Sequence, residues 1–134
     1  MLFSRTYAAK CLETVRGQLD ARTIDLYEGS EFFHEAYIEK IEFTFSPKDQ
    51  SSVTCKITVH QRNYSAIPSR MTMILEGVKF FDLDVQKKFN FLGAEIYWLY
   101  ISDAGDNFEI RCSTDRLIEF TATAVKLTIV SGKG

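Results

Sequence analysis

Proline, tryptophan, histidine and cysteine are all scarce in this 134-residue chain, at two, one, two and three copies. The scarcity of cysteine and of histidine each removes a class of protein. Cys11, Cys55 and Cys112 are odd in number, widely spaced and never in a Cys-x-x-Cys pair, so neither a disulfide framework nor a zinc ribbon is written here. Each falls on the apolar parity of its own segment and is expected to be a reduced, buried thiol. His34 and His60 are too few for a zinc centre, which takes three or four Cys, His or carboxylate ligands. Residue 38, where a zincin helix would place its second His, is Ile. Both histidines are expected at the surface or in hydrogen bonds. No apolar run approaches the ~20 residues that cross a bilayer. Met1-Leu2-Phe3-Ser4-Arg5 leads into mixed polar residues rather than an apolar signal core, so the expected location is the cytoplasm.

Charge of one sign is also lacking. Sixteen Lys and Arg against 18 Asp and Glu leave −2, which gives no global attraction to nucleic acid or to an anionic membrane. A local basic and aromatic patch of Lys56, Arg62, Tyr64 and Arg70 would suit single-stranded nucleic acid, but no glycine-aromatic RNA motif accompanies it. Asp103-Ala104-Gly105-Asp106-Asn107 has the composition of a calcium loop without its alternate spacing or closing Glu; a hairpin loop is expected there. Ser131-Gly132-Lys133-Gly134 lacks the upstream glycine of a phosphate loop. No catalytic residue, cofactor ligand or metal ligand is assigned.

What is abundant is aromatic and β-branched. Eleven Phe and six Tyr, with many Val, Ile and Thr, favour strands. At 46% hydrophobic and 25% charged, a chain of this length fits one domain, residues 1–134, that buries a core without staples. The organising stretch is Phe32 to Phe45. Tyr37, Ile41, Phe43 and Phe45 share one parity, and Ile38, Lys40, Glu42 and Thr44 the other, the period of a half-buried strand. Glu39 falls on the apolar parity, where a buried carboxyl would suit acid–base work. A bulge near Ile38 would return it to solvent.

Along the chain, residues 4–20 are expected to form one helix, with Tyr7, Cys11, Val15 and Leu19 as its stripe. Ile24 and Leu26 alternate with polar neighbours as in a short strand, and Glu28 to Glu31 has loop composition. Val53, Cys55, Ile57 and Val59 alternate with Thr54, Lys56, Thr58 and His60, a strand hairpinned to the first. Met71, Met73 and Leu75 mark a third strand, closed by a bend at Gly77. A short helix or irregular cover is expected around Asp84 to Phe89. Ala94 to Ile101 is apolar on both parities and so covered on both faces. Phe108 to Cys112 returns as the next strand. Leu117 to Val130 is strand-like with a break of period near Ala124. The fold class is α+β: a twisted antiparallel sheet or small sandwich of six or seven strands, spanning about 36–130, with one N-terminal helix packed on it.

Within this pattern, His34-Glu35-Ala36-Tyr37-Ile38-Glu39-Lys40-Ile41-Glu42-Phe43 resembles the opening strand of small bacterial immunity proteins of polymorphic toxin systems, including the group catalogued as immunity protein 50. Met73-Ile74-Leu75-Glu76-Gly77-Val78 is similar to that group's middle strand. Phe108-Glu109-Ile110 with Leu117-Ile118-Glu119-Phe120-Thr121-Ala122 resembles its closing hairpin. The likeness runs over residues 32–125 through short, strand-like motifs. It departs at Glu35, where Asp is expected, and it does not supply the N-terminal helix. The resemblance implies a non-enzymatic cytoplasmic protein that binds and neutralises a cognate toxin.

The leading expectation is therefore an immunity-type binding protein. Its partner-binding residues are expected among Glu28, Glu31, Glu35, Glu39 and Glu42, an acidic crowd that would suit a basic target such as a nuclease toxin. The alternative is an enzyme or small-ligand carrier with an aromatic-lined pocket around Trp98, Tyr100 and Phe120. A third is a structural subunit of a larger assembly or a homo-oligomer, because a small open sheet has edges to manage.

Overall fold

The computed structural model describes residues 3–46, 52–61, 68–85, 93–115 and 118–132. Two helices precede six strands: α1 (Arg5–Glu13), α2 (Ala21–Gly29), β1 (Tyr37–Phe45), β2 (Val53–His60), β3 (Arg70–Val85), β4 (Ile96–Ala104), β5 (Asn107–Thr114) and β6 (Ile118–Ser131). The strands form one antiparallel sheet in the order β1-β2-β3-β6-β5-β4. The sandwich alternative is therefore replaced by a single open sheet.

The helical region departs from the expected single helix over 4–20. α1 starts at Ser4, whose hydroxyl accepts from the Tyr7 N–H, and stops at Thr14, whose hydroxyl donates to the Cys11 carbonyl at 2.6 Å. A 3-10 turn, Arg16–Gln18, follows. α2 then starts where a short strand was expected. Asp20 caps it by accepting from the Thr23 N–H at 2.7 Å, and Thr23, Leu26, Tyr27 and Ser30 are all buried. Their spacing is helical. It is hidden in the sequence because Thr23 and Ser30 are small polar residues.

Between α2 and β1 the backbone is left-handed at Glu31, Phe32, Phe33 and Glu35, with φ of 55°, 59°, 63° and 68°. L-residues resist this region by roughly 1–2 kcal/mol each. Burial offsets it: Phe32 and Phe33 sit in the core and meet the Tyr27 ring edge-on. The turn also delivers the Glu35 N–H to the Ile96 carbonyl at 2.8 Å, joining the start of β1 to the start of β4. A bridge between Tyr37 and Glu95 continues that join.

β3 is longer than expected. It runs on past Gly77 to Val85, paired throughout with β6, and the residues Asp84 and Val85 are strand rather than helix. The remainder of the anticipated helix, residues 86–89, lies outside the described residues. β3 carries a bulge between Val78 and Phe80, opposite Ala124 and Thr123. The extra residue lies on β3 and resets that strand's side-chain period. In β6, Phe120, Ala122 and Ala124 are buried, then Leu127 and Ile129, with Val125 exposed between them. This is the break of period expected near Ala124. In β4, Leu99, Tyr100 and Ile101 are buried as expected, whereas Tyr97 is exposed.

α1 packs on β4 and α2 on β6, and the helical region uses polar side chains as well as apolar ones to hold the sheet. Tyr27 donates its hydroxyl to the Leu99 carbonyl, the Thr14 hydroxyl accepts from the Asp103 N–H, and His34 Nδ1 donates to the Tyr97 carbonyl. These three contacts occupy the outer edge of β4. Thr23 likewise accepts from the Ile129 N–H at 3.0 Å, beyond the last residue of β6 that pairs with β5.

Candidate functional site

β1 contains one irregularity, a register shift between Ile38 and Lys40. The extra residue is Glu39. A bulge re-aims the side chain it carries, so Glu39 leaves the core parity, as the alternation around it suggested. It reaches Arg70 at the start of β3, which faces His60 across β2. The Arg70 Nε and Nη2 donate to the two Glu39 carboxylate oxygens at 2.9 and 3.1 Å. This is a two-pronged, charge-assisted pair, and it holds the guanidinium above its ordinary pKa.

Glu39, Lys40, Thr58 and Arg70 line an open cleft of about 280 Å³. Its floor is fixed by the Thr58 hydroxyl, which shares a hydrogen bond with the Thr72 hydroxyl at 3.3 Å. The cleft thus offers two cations, an anion and a hydroxyl side by side on adjacent strands. Such a surface can exchange hydrogen bonds with the polar groups of a docking protein.

The other anticipated partner-binding carboxylates lie elsewhere. Glu28 is on α2 and pairs with Arg16 at 2.8 Å. Glu31 and Glu35 are on the left-handed turn, beside Arg5 at 2.6 Å and His34 at 3.2 Å. Glu42 is on β1 beside Lys40 at 3.2 Å. Each of the five glutamates has a basic neighbour, and only Glu39 enters the cleft.

Of the basic cluster, Arg70 became the partner of Glu39, Lys56 faces Glu42 across the hairpin, and Arg62 and Tyr64 lie outside the described residues. The role of Arg70 was not readable in the sequence. Its carboxylate is 31 positions away, and only strand pairing brings the two together.

Of the aromatic trio, Tyr100 and Phe120 lie in the core and Trp98 is half-buried against it. Tyr100 is buried beneath the edge of Tyr7, and Trp98 stacks on it at 4.9 Å. Phe120 is buried and stacks on Phe81 at 5.3 Å. Cys11, Cys55 and Cys112 are free and buried, as expected. Burial pushes the Cys55 thiol up to about 12 and raises that of Cys112 as well. The segment Asp103 to Asn107 is the tip of the β4–β5 hairpin. Among the described residues no group of three or more His, Cys, Asp or Glu could hold a metal ion, and no helix is long and apolar enough to cross a membrane.

No protein-family model and no curated protein matches the sequence. Among solved structures the fold is similar to that of an uncharacterized protein from Neisseria gonorrhoeae, at 15% identity and a TM-score of 0.50, with 72% of this chain and 91% of that one covered. At that identity the likeness concerns the fold alone.

Proposed function

We propose that this chain is a non-enzymatic binding protein of the immunity type, which neutralises a cognate toxin by covering part of its surface. The observation that carries the reading is the Glu39 bulge. A bulge held by a two-pronged ion pair at the mouth of an open cleft re-aims charged groups outward from a rigid sheet. Recognition needs fixed polar groups of this kind.

The resemblance of His34 to Phe43, and of the paired strands downstream, to small immunity proteins supports the same reading. One departure from that pattern also has a physical counterpart. Position 35, where the family pattern carries Asp, sits at φ 68° in this chain, and Asp is among the residues best able to occupy that region. Docking a basic toxin would let its lysines and arginines compete with Arg5, Arg16 and Arg70 for the glutamates they hold.

The test is affinity capture from the native host followed by mass spectrometry. The expected result is one stoichiometric partner encoded beside this gene. A binding defect in Glu39→Lys with an unchanged melting temperature would assign the cleft. Recovery of no stoichiometric partner would count against the proposal.

A further inference from the structure

His34 sits within the left-handed run, with Glu31, Phe32 and Phe33 before it and Glu35 after it. Its side chain makes three contacts, each to a different piece of the fold. Nδ1 meets the Tyr97 carbonyl of β4 at 2.6 Å. Nε2 meets the Glu35 carboxylate at 3.2 Å. The ring lies flat on Phe3, with centroids 4.2 Å apart and planes within 9°.

These contacts specify a protonation state. A carbonyl and a carboxylate only accept, so each ring nitrogen needs a proton to bond. A neutral imidazole has one N–H. With Nδ1 donating to Tyr97, its Nε2 would set a lone pair against the Glu35 oxygen. The imidazolium donates to both. A proton on Glu35 would serve the same pair, but imidazole is the stronger base by about two pH units. The flat stack on Phe3 also favours the cation, which an aromatic face attracts.

We infer that His34 is a proton-operated latch: charged, it pins the left-handed turn and Phe3 to β4, and neutral, it lets Glu35 go. The latch lies on the join between the two outer strands of the sheet. There the Glu35 N–H bonds to the Ile96 carbonyl and the Ile96 N–H to the Ala36 carbonyl, each at 2.8 Å.

The neighbouring charged groups are engaged elsewhere. Glu31 pairs with Arg5 of α1 at 2.6 Å, and Glu95, ahead of β4, accepts from the Tyr37 hydroxyl at 2.9 Å. From β4 itself the ring meets a backbone carbonyl, and the Tyr97 side chain is exposed. Glu35 is thus the carboxylate whose contact follows the charge of His34. Only the folded chain offers the proton these contacts. The stabilisation is therefore fully present below the unfolded histidine value of ~6.5 and is lost as pH rises through it. This step lies below the range in which thiols and phenols ionise.

The experiment uses the purified full chain alone, so its outcome is separate from that of toxin binding. Between about pH 6 and about pH 8 the wild-type melting temperature should fall by about 2–5 °C. His34→Asn keeps an N–H for Tyr97 but does not titrate. Glu35→Gln offers an N–H to the neutral ring. Both should flatten the profile, whereas His60→Gln should keep the wild-type step. Hydrogen exchange needs no variant. Over the same range the Glu35 and Ile96 amides of the wild type, corrected for intrinsic rates and referred to amides of β2 and β3, should exchange about threefold faster or more. A flat wild-type profile, a step that survives in either variant, or unchanged exchange at Glu35 and Ile96 would overturn the inference.

Discussion

The Tyr27 hydroxyl and the Leu99 carbonyl, 72 positions apart, meet in a buried hydrogen bond that ties α2 to the edge of β4. The bond satisfies two groups at once. The phenol is wholly buried, and a buried acceptor left unpaired costs about 1–3 kcal/mol. Tyr27→Phe should therefore lower stability by about that amount while keeping the ring contacts with Phe32 and Phe33. A urea titration with an unchanged slope and an earlier midpoint would register it. No change in midpoint would mean that water satisfies Leu99 equally well.

Stability should fall in alkali, and the sign follows from three buried acids. Burial raises the Tyr27 phenol well above its ordinary value, holds the Cys55 thiol near 12 and raises the Cys112 thiol. In the unfolded chain, thiols release their protons near pH ~8.5 and phenols near ~10. The stabilisation is thus fully present below the unfolded thiol value. It is lost as pH rises from there toward the folded values, by up to about 1.4 kcal/mol per pH unit for each group. Denaturant midpoints measured from pH 7 to pH 11 should be flat at first and then decline above about pH 9. A flat profile throughout would show that the thiols ionise without unfolding.

Gly77 sits at φ 65°, and a Cβ placed on it would lie 3.0 Å from the Val125 Cγ2. Gly77→Ala should cost about 1–3 kcal/mol from backbone strain together with crowding. Adding Val125→Ala removes the Cγ2 contact but keeps the Val125 Cβ at 3.1 Å, so it should recover part of the crowding and none of the backbone strain, a coupling that a double-mutant cycle reads directly. Simple additivity would contradict the contact.

Glu35 is the reverse case. Its φ of 68° is strained for a residue whose side chain is 65% exposed. Glu35→Gly should raise the stability by up to about 1 kcal/mol, because relief of the strain exceeds the entropy cost of glycine there. Thermal melting would show it, and a lowered melting temperature would mean that the contact with His34 outweighs the strain.

The sheet was legible in the sequence wherever one face is wet and the other dry. Val53 to His60 and Phe108 to Cys112 alternate cleanly, and their neighbours in space follow from short hairpins. The break at Glu39 was visible as one acid on an oily parity, which is how a bulge announces itself. α2 was not legible, because Thr23 and Ser30 are buried polar residues whose purpose, bonding to Ile129, Tyr27 and Phe33, exists only in the folded chain. Nor was the left-handed turn, since Glu31, Phe32 and Phe33 carry none of the glycine or asparagine that usually marks such backbone. The cleft was half legible: Glu39 stood out, whereas Arg70 joined it only through the pairing of β1, β2 and β3.

Neutralisation of a toxin by direct binding is tested most directly by growth. The gene of a partner captured with this chain would be expressed in a sensitive host with and without this chain. The account predicts that cells carrying both survive, that cells carrying the toxin alone die, and that Glu39→Lys weakens protection while the variant stays folded. Death of the cells that express the toxin together with the folded wild-type chain would contradict it.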